Sequence, residues 1–208
     1  MSQLLYIKAN PKPANQSRTF AIADSFIARY KELNPDDKIT TLDLYQEGIG
    51  FLTNDDLRAT VEANDNREHP VLKYAHQFAA ADSYVIAAPM WNLSFPAILR
   101  AYLDYICVVN ITFKYTETGP VGMCIGKKAL HIITRGGEYS KPPLSAFEMG
   151  DRYLKALFGF LGITDFKTIV AENLDVVGQD VEGILRQAIT EAQELVPAFG
   201  KQPQYSLV

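Results

Sequence analysis

The chain has 208 residues, 48% of them hydrophobic and 21% charged, which is an ordinary composition for a globular protein. Its formal net charge of −4 argues against a nucleic-acid-binding protein, which usually carries a basic surface. No stretch approaches the roughly 18 consecutive apolar residues of a membrane span, and the N-terminus lacks the pattern of a secretory signal peptide. We therefore expect a cytoplasmic protein without membrane contact, and its two cysteines, Cys107 and Cys124, fit a reducing compartment.

Short apolar runs and helical periodicities alternate about five times along the chain. The apolar runs predict strands at 4–7, 39–44, 83–88, 127–134 and 166–170. The helical periodicities predict helices at 20–33, 72–79, 96–109, 154–161 and 181–195. Because 83–88 and 127–134 are apolar with little alternation, as in parallel strands covered on both faces, we predict an α/β fold: a doubly wound, five-stranded parallel sheet with helices on both faces. We expect one domain at 1–200 and a short, poorly ordered tail at 201–208.

Ligands of such sheets bind beyond the carboxyl ends of the strands, so the loops there are the first candidates for a site. The loop after the first strand ends in Ser17, Arg18 and Thr19, directly before a helix. Hydroxyls and free N–H groups at a helix N-terminus form an anion site, although Ser17 would also serve simply as a helix cap. The loop lacks the glycine pattern of dinucleotide-binding folds, so its hydroxyls suit the phosphate of flavin mononucleotide (FMN) better than a pyrophosphate.

The loop after the third strand contains Pro89, Met90, Trp91, Asn92 and Leu93. A flat heteroaromatic ring can pack on Met90 or Trp91, while Asn92 and the backbone bond its polar edge. The alternative is that Trp91 belongs to the core and Asn92 to a turn.

The loop after the fourth strand contains Thr134, Arg135, Gly136 and Gly137. Paired glycines let the backbone approach a ligand closely, and N–H groups there can bond the pyrimidine edge of an isoalloxazine ring. Such donors stabilise the negative charge that develops on that edge during reduction. A plain turn would also explain the two glycines.

Several segments closely resemble bacterial FMN-dependent NADH:azoreductases, which belong to the flavodoxin-like NAD(P)H:quinone oxidoreductase superfamily. The matching segments are 88–92, 113–120, 126–129, 134–137 and 158–163. The resemblance implies a flavodoxin-like fold and a homodimer with one tightly bound FMN per subunit. It implies that 17–19 bind the phosphate, 90–93 the ring and 134–137 the ring edge.

The same resemblance implies a ping-pong reaction in which NADH reduces the flavin and leaves before the acceptor binds. The acceptor would be a quinone or an aromatic azo compound, and the sequence does not separate NADH from NADPH. The chemistry belongs to the flavin, so no protein acid or base is assigned as catalytic. Tyr115 is either a residue of the acceptor pocket or a structural aromatic. Arg18 either pairs with the phosphate or is solvated.

Two further features bear on mechanism and assembly. The histidines, His69, His76 and His131, have no metal-ligand spacing, so we predict no metal site and expect single replacements to leave turnover nearly intact. The helix at 96–109 is apolar on more than one face, which fits either a buried helix or a dimer interface. The resemblance favours the interface.

The competing function is that of a flavodoxin-type electron carrier, which binds FMN but reduces no small molecule. The segments 45–82 and 108–125 favour the enzyme, because they would add walls around a substrate cavity. A phospho-acceptor signalling domain is rejected, because it needs clustered acids after the first strand, where this chain has Ala9 and Asn10.

Overall fold

The computed structural model describes residues 1–61 and 68–200, so the tail predicted at 201–208 lies outside the described residues. The strands are β1 Gln3–Lys8, β2 Lys38–Asp43, β3 Ser83–Ala87, β4 Phe113–Thr116, β5 Gly119–Gly122, β6 Lys128–Thr134 and β7 Asp165–Ala171. The α-helices are α1 Arg18–Leu33, α2 Asn54–Val61, α3 Lys73–Ala80, α4 Ala97–Ile106, α5 Gly150–Phe160 and α6 Val181–Phe199.

Five of the strands form one parallel sheet in the order β2-β1-β3-β6-β7. These are the five strands predicted from the apolar runs, so the predicted sheet is confirmed. The sequence pattern does not predict the antiparallel hairpin of β4 and β5. Each of its strands has only four residues, and Gly119, Pro120 and Gly122 are poor strand formers, so the pattern there carries no clear signal.

Helices cover both faces of the sheet and explain why its central strands are apolar throughout. Leu4 and Tyr6 of β1 contact the cluster formed with α1 and α6. Leu5 and Ile7 point to the opposite cluster, which α3, α4 and α5 complete. Because successive side chains of a strand face opposite sides, a strand covered twice must be apolar at every position.

Helix α4 is buried mainly within its own chain. Leu99, Tyr102 and Ile106 are all fully buried against the sheet and neighbouring helices. Its outer face carries Arg100 and Asp104, which form an ion pair at 2.6 Å. Burial in the fold therefore accounts for most of its apolar surface, and the helix ends at Ile106, before the predicted end at residue 109.

None of the helices in the described ranges has the length and apolarity needed to cross a membrane.

His131 and Asp151 form a buried polar pair between β6 and α5. The His131 ring is fully buried, and its Nδ1 lies 2.9 Å from Asp151 Oδ1. Thr168 donates a hydrogen bond to the same carboxylate at 2.7 Å, and Lys155 Nζ lies 2.7 Å from its other oxygen. Burial raises the pKa of Asp151, but the hydrogen bond and charge of His131, together with the Lys155 and Thr168 hydrogen bonds, bring it well below its usual value of 3.8.

Because of this pair, replacing His131 tests the stability of the fold before it tests turnover. Its ring has no exposed surface and anchors a carboxylate in the core. A replacement there leaves a buried carboxylate without one of its partners, which costs stability. A loss of turnover in a His131 variant would therefore report on folding and not on proton transfer.

We predict that Asp151→Asn lowers the free energy of unfolding by about 2 kcal/mol at pH 7, because charge-assisted hydrogen bonds are lost. A carboxyl whose pKa is lowered by folding contributes fully above its unfolded-state pKa and loses that contribution as pH falls. The variant should therefore lose less stability than the native chain between about pH 5 and pH 3. Urea unfolding at several pH values measures both effects, with the exposed Glu191→Gln as control. If the native chain and Asp151→Asn lost the same free energy of unfolding over this pH range, the prediction would be contradicted.

Candidate active site

A polar cleft of about 390 Å³ lies at the carboxyl edge of the sheet. It sits where β1 and β3 are neighbours, and their following helices, α1 and α4, cover opposite faces. This is the switch point at which open α/β sheets bind ligands. The cleft is lined by Asn10, Lys12, Gln16, Ser17, Arg18, Thr19, Pro89, Met90, Trp91, Thr134, Arg135, Gly136, Leu174 and Asp175.

Most of the predicted site residues meet in this cleft, although they come from three separate loops. Of the residues predicted to bind the cofactor, three do not line it: Asn92, Leu93 and Gly137. Five lining residues are absent from the sequence prediction: Asn10, Lys12, Gln16, Leu174 and Asp175. The position of Leu174 and Asp175 after the carboxyl end of β7 is the available signal, because every strand of a parallel sheet ends at this edge.

Ser17 is both a helix cap and an available donor. Its Oγ accepts hydrogen bonds from Phe20 N at 3.2 Å and from the Asn10 amide at 3.0 Å. A hydroxyl that accepts two hydrogen bonds retains its own hydrogen for a third. The two interpretations of Ser17 are therefore compatible, because the hydrogen can be donated to an anion at the start of α1.

Thr19, at the start of α1, and Thr134, at the end of β6, meet in the cleft. Their hydroxyl oxygens are 2.6 Å apart, and both residues are buried. The spacing fixes the distance between the start of α1 and the end of β6. The loops after β1 and β6 are thereby parts of one cleft.

Arg18 has protein partners. Its Nη1 donates to Asp175 Oδ1 at 2.9 Å and to the Leu174 carbonyl at 3.1 Å. The sequence pointed only to a phosphate or water as its partner, because Asp175 lies 157 positions away along the chain.

Residues 91–94 form a tight turn at the mouth of the cleft. Trp91 and Ser94 exchange two backbone hydrogen bonds of 2.8 and 2.9 Å, and the central residues, Asn92 and Leu93, both have positive φ, at 47° and 69°. Positive φ at both central positions is typical of type I′ turns. The Trp91 side chain is 40% exposed, so it is not a core aromatic. The adjacent Met90 N donates to Thr134 O, which ties this turn to β6.

Arg135 supports the loop after β6 through buried ion pairs. Its side chain is 4% exposed and lies between Glu172 and Glu148, with Nη1 3.4 Å from Glu172 and Nη2 3.7 Å from Glu148. Its backbone N–H donates to Ala171 O at 2.8 Å. The terminal guanidinium nitrogens and the backbone N–H are thus directed at protein acceptors, which makes Arg135 a positioning residue for the adjoining Gly136.

Tyr115 is distant from the cleft of its own chain. It lies in β4, and the hairpin leads directly into the amino end of β6. Cys124 N donates to Leu161 O, just before β7 begins, so the hairpin lies at the amino edge of the sheet. None of residues 108–125 is among the residues that line the cleft of one subunit, contrary to the expectation that this segment adds a wall to it.

None of the three histidines or two cysteines of the chain is among the residues that line the cleft. Burial raises the pKa of Cys107 to about 11 and also raises that of Cys124, so both thiols are protonated at neutral pH. No group of His, Cys, Asp and Glu in the described ranges has the arrangement of a metal site.

Leu93 gives a test of backbone strain in the turn. A non-glycine residue at positive φ costs roughly 1–2 kcal/mol. We predict that Leu93→Gly is more stable than Leu93→Ala by about 1 kcal/mol, because only glycine relieves that strain. Urea unfolding of both variants measures the difference.

The control for this test is an ordinary helical position. Gln187 is exposed in the middle of α6, where glycine should be less stable than alanine. Gln187→Gly and Gln187→Ala should therefore rank in the opposite order to the Leu93 pair. The same order at both positions would contradict the prediction.

Comparison with known proteins identifies the family of this chain. Residues 2–196 match the family model described as a flavodoxin-like fold. The chain is 64% identical over 200 residues to an FMN-dependent NADH:quinone oxidoreductase 2 of Clostridium acetobutylicum, covering 96% of this chain and 100% of that protein. Its structure resembles an azoreductase of Bacillus anthracis, with a TM-score of 0.89 at 35% identity over 96% of this chain and all of the other. It also resembles an FMN-dependent NADH-azoreductase of Bacillus anthracis in complex with FMN, with a TM-score of 0.87 at 30% identity over 97% of this chain and all of the other. The chain therefore belongs to the flavodoxin-like family of FMN-dependent NADH:quinone oxidoreductases and azoreductases.

Proposed function

We propose that this chain is an FMN-dependent NADH:quinone oxidoreductase that also cleaves aromatic azo compounds. The observation that carries the proposal is the cleft at the switch point, where an anion site adjoins an exposed aromatic turn and a glycine loop. That combination suits a ligand with a phosphate at one end and a flat ring at the other. The 64% identical relative is named for the same activity.

The residues of the cleft fit the phosphate of FMN. The hydroxyl of Ser17 has a hydrogen to donate, and the first N–H groups of α1 have no acceptor within the helix. The helix N-terminus and the guanidinium of Arg18 add positive charge at the same place. One phosphate is well served by this set.

The ring would lie between the turn at 91–94 and the loop after β6. Trp91 and Met90 provide an apolar surface, and Gly136 allows a close approach of the backbone. When bound, FMN supplies the hydride chemistry, and the protein binds, orients and tunes it. The net reaction consumes NADH, a proton and a quinone and yields NAD⁺ and a hydroquinone, and an azo bond needs two such rounds.

The measurement that tests this function is an anaerobic titration of the FMN-loaded protein with NADH, followed by the flavin absorbance. We expect bleaching with one NADH per flavin and recovery of the absorbance when menadione or an azo dye is added. A parallel titration with NADPH measures the preference between the two donors.

Two results would contradict the proposal. A yellow protein that NADH does not bleach would favour the alternative of a flavodoxin-type electron carrier. A protein that takes up no FMN would exclude both functions. Protein freed of flavin serves as the control for direct reduction of the acceptor by NADH.

We also propose a homodimer in the cytoplasm. Large apolar side chains are exposed around the carboxyl edge of the sheet, among them Phe51, Leu93, Phe147 and Met149. Met149 N donates to Leu93 O, so two of these lie together, and Phe51 lines a second cleft of about 280 Å³ with the start of α4. A second copy would cover such a surface. The two thiols without a disulfide fit a reducing compartment.

We predict that the native chain has twice its sequence mass in solution and that Phe51→Lys combined with Met149→Lys shifts it towards a single chain. Charge buried at an interface is unfavourable without a partner, which is the reason for the shift. Light scattering after size-exclusion chromatography measures the mass. Leu33→Lys, at the far end of α1, is the control and should remain dimeric. A native chain of single mass at micromolar concentration would refute the dimer.

A further inference from the structure

The loop after β7 places the carboxylate of Asp175 in the cleft, beside the guanidinium of Arg18. Without this carboxylate, the positive charge of Arg18 would face only the phosphate. Asp175 lines the cleft together with Arg18, Ser17 and Thr19. Its Oδ1 lies 2.9 Å from Arg18 Nη1, and that same nitrogen also donates to the Leu174 carbonyl. Two acceptors of the protein thus hold both N–H groups of Nη1, so an anion must use the other donors of the guanidinium or displace these acceptors.

The backbone fixes the position of this loop. Asp175 N donates to Gly136 O at 3.0 Å, and Leu174 N donates to Arg135 O at 3.2 Å. The Asp175 carboxylate stands directly beside Gly136, where a Cβ atom would lie only 2.7 Å from Oδ2. The carboxylate is therefore held between the glycine loop and the start of α1.

We propose that Asp175 is a specificity-determining residue that weakens the hold of the cleft on phosphate, by competing for Arg18 and by repelling a second negative charge. The inference rests on the proposed function, because the phosphate in question is that of FMN. A carboxylate and a phosphate in one polar cleft repel each other, and removing the carboxylate also frees one N–H of Arg18 Nη1 and leaves the guanidinium charge unpaired. The pair is exposed, so water reduces the effect to a modest factor.

The consequence is a difference between FMN and riboflavin, which share the ring and differ in the phosphate. Asp175→Asn should tighten FMN binding about 3- to 10-fold, in keeping with an exposed ion pair. Riboflavin binding should change little. In a chain that already carries Arg18→Gln, the gain from Asp175→Asn should be smaller, because no guanidinium remains to be freed.

The experiment measures the dissociation constants of FMN and riboflavin by quenching of flavin fluorescence on protein freed of flavin. The proteins are the native chain, Asp175→Asn, Asp175→Ser, Arg18→Gln and the double variant. Asp165→Asn, which removes the same charge at the amino end of β7, is the matched control. Thermal unfolding confirms that each variant is folded, and Asp175→Ser provides a second neutral side chain should the asparagine variant fail to fold.

Unchanged or weaker FMN binding by both neutral variants would overturn the inference, as would an equal gain for riboflavin. A native chain that binds neither flavin would refute the proposed function instead. The two failures are distinguishable, because the second appears before any variant is compared. The expected result is a gain confined to FMN and reduced in the Arg18→Gln background.

Discussion

β1 and β3 send their following helices to opposite faces of the parallel sheet, and the cleft exists because of that division. α1 packs with α6 over one face, and α4 packs with α3 and α5 over the other. The chain leaves a gap between the two connections at the carboxyl edge. The residues that line the cleft lie at the carboxyl ends of the strands, in the loops that follow them and in the first turn of α1.

Hydrogen bonds between the loops convert this gap into a defined site. Met90 N bonds to Thr134 O, and Arg135 N bonds to Ala171 O, so each loop is held by the strand next to it. Below them, Arg135 lies between two glutamates and supports the loop that it begins. The ring and phosphate parts of the site are therefore linked through the sheet, although their residues are far apart in the chain.

The fold and most of the cleft could be predicted from the sequence, because apolar runs and strand ends are local features. Ser17 and Trp91 are such cases: one precedes a helix, and the other follows a buried strand. The partners of Arg18 and Arg135 could not be predicted, because Asp175 and Glu172 come from the end of β7, far away in sequence. Tyr115 shows the same limit, because the side of the sheet on which a hairpin lies depends on topology and not on the residues within it.

The hydrogen bond between Thr19 and Thr134 can form in two directions, and each direction leaves a different hydroxyl hydrogen unused. Either hydroxyl can be the donor, and one hydrogen suffices for the bond between them. The other hydrogen remains free, on Thr19 in one arrangement and on Thr134 in the reverse one. Rotating two O–H bonds exchanges these arrangements without displacing a carbon, nitrogen or oxygen atom. A rigid scaffold can thus offer its spare hydrogen to an acceptor on either side.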